Sequence, residues 1–359
     1  MDRKIKKFLI GPKITIKQAL KRMDEAGEKI LFVTDPNNNQ LLGTVTDGDF
    51  RRWILKGRSL DTNITKAMNT KPLILEEGYH IEEAKRLMMN NEIECIPILD
   101  QREGIVSAIW WLDIFKNQNK KYGQINIPVV IMAGGEGVRL SPFTKILPKP
   151  LMPVGEKPII ELIIDKFVEY GCKKFYLSVN YKSNLIKTYF SNFKHDYKIE
   201  YVEEKKPLGT AGSLYLLKKK IETTFYVINS DVLIEADYAD VLDFHKNNKN
   251  KITLISSMKH YKIPYGVCEI KNGGNLKKIK EKPEYDFLVN SGMYVLEPEV
   301  IWDIPINKTY DIPELINVCI KNKKKVGVYP ISERSWLDIG EWEGLQNTLK
   351  SLKLNRILM

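Results

Sequence analysis

A glycine-rich turn, Ala133-Gly134-Gly135-Glu136-Gly137, follows the apolar run 128–132 and leads into Val138 and Arg139. Glycines let backbone N–H groups approach a phosphate chain without obstruction by side chains. Arg139 can fork onto phosphate oxygens. Further on, Pro148, Pro150, Pro153 and Pro158 fix the backbone of a loop that carries Lys149. A rigidly held lysine beside an arginine and a glycine turn is a candidate anion cage. The turn is not a P-loop, because no Gly-Lys-Ser/Thr follows it, and it does not fit GxGxxG. Taken alone, it is equally compatible with a tight connection.

The elements around this turn alternate. Strands are expected at 128–132, 175–179, 199–202, 225–228 and 252–256, and helices at 159–170, 184–190, 211–219 and 239–246. Gly171 closes the first of these helices. Such alternation predicts an α/β fold, a Rossmann-like, mostly parallel sheet covered on both faces. Ligands of these sheets sit at the carboxyl ends of the strands, so residues just after strands are the first candidates. Asn229-Ser230-Asp231 occupies such a place, although a lone Asp after a strand is most often a cap or turn residue.

Upstream lies an internal repeat. Residues 16–27 read as a helix with Ile16, Ala19, Leu20 and Met23 on one face, followed by strand 29–34, a turn at 35–39 and strand 41–46. Asp47-Gly48-Asp49 then leads to a short helix from Phe50. The order recurs as helix 81–89, strand 95–99, turn 100–104 and strand 105–111 before Leu112-Asp113-Ile114. This is an α+β domain of a different character. The polar, aperiodic stretch 117–124 separates the two regions, with a boundary near residue 122, giving domains 1–122 and 123–359.

The net charge of +11 raises the question of nucleic acid. The excess is +4 over residues 1–124 and +7 over 125–359, mostly lysine, and the basic tracts are short, Lys218-Lys219-Lys220 and Lys323-Lys324-Lys325. Without clustered Arg/Lys interleaved with aromatics, no nucleic-acid partner is expected. A solvated lysine-rich surface that also attracts anionic substrates is the reading. Cys95, Cys172, Cys268 and Cys319 form no CxxC pair and read as free thiols of a reducing compartment. His80, His195, His245 and His260 are scattered and read as structural or surface residues. The first residues lack the apolar region of a signal peptide, and no apolar run is long enough to span a bilayer. No membrane partner and a cytoplasmic location are expected.

Residues 129–161 resemble the signature of sugar nucleotidyltransferases, the nucleotidylyl transferases of nucleotide-sugar synthesis: the glycine turn, Ser141-Pro142-Phe143-Thr144, Leu147 to Gly155, and Lys157-Pro158-Ile159-Ile160-Glu161 in order. The resemblance continues. Pro207-Leu208-Gly209-Thr210-Ala211-Gly212-Ser213 is similar to the family loop that holds the base. Asn229-Ser230-Asp231 resembles its magnesium-binding turn. Tyr265-Gly266-Val267, Glu281-Lys282-Pro283 and Asn290-Ser291-Gly292 resemble its sugar-pocket segments, and Trp336-Leu337-Asp338-Ile339-Gly340 the segment with a second metal-binding aspartate.

What the resemblance implies is a transfer of a nucleotide from a nucleoside triphosphate to a sugar-1-phosphate, releasing pyrophosphate. The attacking phosphate is already an anion, so no general base is needed. The difficulty is to bring two polyanions together and stabilise the charge that develops. By the resemblance, Arg139, Lys149 and Lys282 are the catalytic cations, on the pyrophosphate, the α-phosphate and the sugar phosphate. Ala133, Gly134, Gly135, Gly137, Gly209, Thr210 and Asp231 bind the nucleotide. Tyr265, Glu281, Asn290 and Gly292 bind the sugar, and Asp231 with Asp338 holds Mg²⁺, which prefers oxygen ligands from one or two carboxylates plus phosphates.

Gly43 to Arg52, with Thr46 and Asp49, resembles the end of a CBS domain, and the tandem repeat resembles a CBS pair. The resemblance implies a regulatory nucleotide, with Thr46 donating to phosphate and Asp49 accepting from ribose. A purely structural or dimer-forming pair is the alternative, and paired CBS units suggest a homodimer. The second copy departs from the pattern, because Ser107 stands too far from Asp113. The base loop is similar to those of guanylyl-transferring members. Together with the CBS pair it resembles the glucosamine-1-phosphate guanylyltransferases of bacterial legionaminic acid synthesis. GTP and glucosamine-1-phosphate are therefore the expected substrates. Mannose- or heptose-1-phosphate with GTP, and thymidylyl or uridylyl transfer, stay open. A catalytically silent nucleotide sensor is the alternative of a different class.

Overall fold

The computed structural model describes residues 5–91, 93–114, 123–192 and 194–340 of the 359. By compactness the chain forms two units. One holds residues 1–121, 259–286 and 332–334, and the other holds 122–258, 287–331 and 335–359. The boundary expected near residue 122 lies outside the described residues.

In the first unit the repeat is plain. Helix Ile16–Ala26 starts at Thr15, whose hydroxyl and Gln18 form a capping box, and stops at Gly27, which adopts φ +86°. The strand Ile30–Thr34 pairs antiparallel with Leu41–Thr46 and parallel with Leu9–Ile10. Cys95–Leu99 repeats the pattern between Ile105–Trp110 and Leu75–Glu76. The register breaks at equivalent places, Val33/Thr34 and Ile98/Leu99. Ile105 N–H donates to Asn39 O and Leu41 N–H to Glu103 O, so the two turns brace each other.

Residues 259–286 add a hairpin to this unit, Val267–Ile270 against Leu276–Lys280. Near its base, Asp286 accepts from Lys17 at 2.9 Å and pairs with His260 at 2.6 Å. His260 also lies 3.9 Å from Asp24. Burial pushes the Asp24 carboxyl up to about 6, against the pull of His260 and the Arg334 N–H, with Glu333 and Asp47 pushing the same way as burial. A carboxyl that is harder to ionise when folded binds more protons in the native state. Stability therefore falls as pH rises from about 4 to about 6 and stays lowered above that. Asp24→Asn is expected to raise stability at pH 7.5 by on the order of 1–3 kcal/mol and to gain much less at pH 4.5. Melting curves at both pH values check this; an equal gain at both, or a loss at pH 7.5, counts against it.

The second unit is built on a seven-stranded sheet. Its order is Lys198–Glu203, Lys174–Val179, Val129–Met132, Phe225–Asn229, Glu284–Leu296, Ile252–Lys262 and Val326–Ile331. The first four run parallel, and Glu284–Leu296 enters antiparallel to Phe225–Asn229. Alternate residues of Val129–Met132 and Phe225–Asn229 feed two separate cores, Val129, Ile131, Tyr226 and Ile228 on one face and Val130, Phe225 and Val227 on the other. Helix Ile159–Glu169 covers the first face through Ile160, Ile163, Ile164 and Phe167. Helix Ile312–Lys321 covers the second through Ile312, Leu315, Ile316 and Cys319. The mostly parallel, doubly covered sheet read from the sequence is the fold observed.

The expected helix 211–219 is different in kind. A short turn, Gly209–Gly212, runs into a 3-10 segment, Ser213–Leu217. The N–H groups of Ala211 and Gly212 both donate to Tyr310 O at 2.9 Å, so this end is tied sideways to a neighbouring segment. A small second sheet, Val232–Ile234 against Trp336–Asp338, lies beyond the end of Phe225–Asn229.

Candidate functional site

The carboxyl ends of Val129–Met132 and Phe225–Asn229 open into a cleft of about 270 Å³. Gly134, Gly135 and Lys149 line it, with Gly209 and Thr210 of the loop 207–213, Asn229 to Asp231, and Glu204 and Asp311. Each segment arrives there for a local reason. Gly137 takes φ +66°, and a Cβ on it would lie 2.9 Å from Thr144 Cγ2 and 2.9 Å from Lys149 Cβ. Only glycine turns the chain this tightly against that packing. The 3-10 turn Val138–Leu140 follows, with Arg139 exposed on it. Ala133 lies beneath the cleft, buried, its N–H donated to Ser178 O.

Lys149 opens the 3-10 turn Lys149–Leu151, between Pro148 and Pro150, and its ammonium pairs with the Asp231 carboxylate. The pairing of the small sheet sets Val232 opposite Asp338, and Ile339 N–H donates to Asp231 O at 2.8 Å. A Cβ placed on Gly340 would lie 2.9 Å from Asp231 Oδ2, 2.9 Å from Asp338 Oδ1 and 3.2 Å from Lys149 Nζ. Two carboxylates and an ammonium therefore surround one point. Burial raises the Asp338 carboxyl above its ordinary range and the charge of Asp231 adds to this, while the Gly340 N–H, Lys149 and Arg139 pull it down.

This donor set fits a divalent cation. Mg²⁺ takes one or two protein carboxylates and completes its shell with phosphate oxygens and water. Among the described residues there is no group of three or more His, Cys, Asp and Glu that could hold a metal alone. Asp231 and Asp338 are the residues that would hold it together with a phosphate chain.

The loop 207–213 is clamped from one side. Gly209 adopts φ +77°, and a Cβ there would lie 2.7 Å from both Asp311 Oδ1 and Tyr310 O. Thr210 donates through its N–H and its hydroxyl to Asp311, at 2.8 and 3.0 Å. Asp311 also caps helix Ile312–Lys321 in a box with Glu314. Glu204 also lines the cleft and holds the same loop, accepting from Ser178 Oγ at 2.7 Å and from Leu208 N–H at 2.9 Å. A Cβ on Gly134 would lie 2.9 Å from Glu204 Oε1, which puts this carboxylate against the glycine turn.

Asn290 and Gly292 also come to this end of the sheet. Gly292, at φ +84°, would place a Cβ 2.7 Å from Asn229 Nδ2, and Asn290 donates to Tyr294 Oη at 2.6 Å. Tyr265, Glu281 and Lys282 belong to the other compact unit, on the segment that carries the hairpin. Tyr265 is 74% exposed, Lys282 is exposed at φ +43°, and Glu281 Oε2 sits 2.9 Å from where a Gly266 Cβ would be. In the repeat unit, Thr46 and Asp49 engage each other. The Thr46 hydroxyl and N–H both donate to Asp49, at 2.7 and 2.8 Å, as the cap of helix Asp47–Leu55. Arg52 pairs with the other oxygen of Asp49 at 2.5 Å.

Among the polar residues of the cleft, Glu204 and Asp311 have no role in the sequence reading, and Asn229 enters it only as part of a motif. Asp311 had a signal, the capping spacing Asp311-x-x-Glu314 before an apolar run. Asn229 lay within a motif that was read for its aspartate. Glu204 had none, because Glu203-Glu204-Lys205-Lys206 reads as a solvated charge run.

Comparison with known proteins places both regions of the chain in families. Residues 128–353 match the Nucleotidyl transferase family, and residues 3–56 and 63–109 each match the CBS domain. A mannose-1-phosphate guanyltransferase of Saccharomyces cerevisiae is 32% identical over 223 residues, 59% of this chain and 61% of that enzyme. The enzyme of the same name from Pichia angusta is 34% identical over 223 residues, 59% of this chain and 60% of its own length. The chain thus spans about 60% of the length of these relatives. The crystal structure of HddC from Yersinia pseudotuberculosis superposes with a TM-score of 0.51 at 26% identity, over 63% of this chain and 99% of that one.

Proposed function

This chain belongs to the nucleotidyl transferase family, and from that premise we propose that it transfers a guanylyl group from GTP to a sugar-1-phosphate, releasing pyrophosphate. The observation that carries the reading is the meeting of Asp231, Asp338 and Lys149 around one point beside the glycine turn. A Mg²⁺ ion bound there would neutralise phosphate charge in the displacement.

The chain's own groups supply the rest. Lys149, oriented by its ion pair with Asp231, follows the α-phosphate in this reading. In this reading Arg139 meets the departing pyrophosphate, and Gly134 and Gly135 leave the backbone open to the phosphate chain. Glu204 selects the base. A carboxylate only accepts hydrogen bonds, and guanine presents two adjacent N–H donors, its ring N–H and its amino group. Uracil and thymine present one such donor. In this reading Asn290 and Gly292 serve the sugar, and residues 1–122 form a regulatory, homodimer-forming pair beside a catalytic domain at 123–359. Thr46 and Asp49 support a regulatory nucleotide by position only, since both side chains already serve a cap.

Glucosamine-1-phosphate is the first assignment for the sugar. Mannose-1-phosphate is the second, favoured by the activity named for the relatives. A panel of GTP, ATP, UTP and dTTP against both sugar phosphates, read by pyrophosphate release, tests the proposal. GTP is expected to be preferred by about a hundredfold or more, as a site built to pair with N–H groups rejects bases lacking them. Turnover with no triphosphate would favour a silent sensor, and a preference for UTP or dTTP would overturn the guanylyl reading.

A further inference from the structure

One lysine beside the cleft has a task that neither the phosphates nor the metal site explains. Lys182 precedes helix Ser183–Ser191 at φ +51°, a conformation that residues other than glycine adopt rarely. Its ammonium donates to three consecutive carbonyls, Thr144 O at 3.3 Å, Lys145 O at 2.5 Å and Ile146 O at 3.0 Å. An ammonium has three donors, and here all three converge on one turn. Tyr181 Oη adds a bond to Thr144 O at 3.3 Å.

That turn is not a free surface loop. Thr144 is buried, and its hydroxyl donates to Gly137 O at 3.0 Å. Its methyl group and Lys149 Cβ close around Gly137. Gly137 in turn begins the segment with Arg139. Leu140 anchors the start of this stretch in the core, but Lys145 and Ile146 of the turn itself are exposed, Ile146 at 76%, so apolar burial does little to hold the turn. A polar anchor from the neighbouring strand end takes that part.

We infer that Lys182 is a positioning residue for the triphosphate: by tying down the 144–146 turn it holds Gly137, Arg139 and Lys149 where the phosphate chain must lie. The inference rests on the proposed activity and assigns Lys182 no contact with substrate. It acts through the turn. Because the anchored groups face the triphosphate, loosening them weakens that substrate selectively.

The test compares the wild-type protein with Lys182→Met and Lys182→Arg. Without substrate, hydrogen exchange across 137–149 is expected to speed up in K182M and to be largely restored in K182R. The KM for GTP rises about tenfold or more in K182M, as small misplacements of phosphate-holding groups are costly, while the KM for the sugar phosphate stays within about twofold. Unchanged exchange, or equal shifts in both KM values, overturns the inference. A fall in activity wholly accounted for by a lower Tm does so too. Lys182→Gln serves if K182M does not fold. Should the wild-type protein turn over no triphosphate, the proposed activity falls. Calorimetric affinity for GTP, either weakened about tenfold in K182M or unchanged, then still decides for or against Lys182.

Discussion

Replacing Asp231 by Asn lowers pyrophosphate release by about a thousandfold or more while the protein stays folded. Three consequences combine. The point between Asp231 and Asp338 loses one of its two anionic walls. Lys149 loses the carboxylate that orients it. The amide also presents an N–H₂ group toward the lysine and any cation. The Lys149–Asp231 pair is partly buried, with side chains 13% and 16% exposed, so the variant also leaves an ammonium short of its partner. A stability loss of about 1–3 kcal/mol is expected from that. Circular dichroism and a melting curve separate this loss from the kinetic one. A rate within about tenfold of wild type would remove Asp231 from the chemistry.

The second large effect is on base choice. Glu204→Gln keeps one acceptor for Leu208 N–H and can exchange roles with the Ser178 hydroxyl, so the loop is expected to stay in place. What it loses is the second anionic acceptor. The amide can take one N–H of guanine but points its own N–H₂ at the other. The kcat/KM for GTP is expected to fall by about a hundredfold, with UTP and dTTP changing far less. Steady-state kinetics with the three triphosphates measure this. An equal loss for all three would make Glu204 a structural brace of the loop and nothing more.

The parts of this cleft that could be read from the sequence are those written within one short segment. The glycine turn, Arg139 and the proline-fixed Lys149 are local, and the alternation of elements placed them at a strand end. The parts that could not be read depend on long-range pairing. The register Val232 opposite Asp338 joins two three-residue strands that are distant in the chain, and strands so short carry no periodic signal. Glu284–Leu296 pairs antiparallel within the sheet, a choice that only tertiary packing makes. Residues 259–286 join the repeat unit through Asp286, Lys17, His260 and Asp24, and isolated charged residues in a sequence do not name their partners. Glu204 was hidden for a related reason: a charge run on a solvated strand end and a charge held against a glycine turn look alike until the fold is known.

In the proposed function Asp231 and Asp338 together hold one divalent ion against the phosphate chain. Counting bound Mn²⁺ by electron paramagnetic resonance in the presence of GTP tests it directly, comparing the wild-type protein with D231N and Asp338→Asn. The arrangement predicts one tightly held ion per chain in the wild-type protein and its loss in each variant separately. An ion held with undiminished affinity in either variant would contradict it.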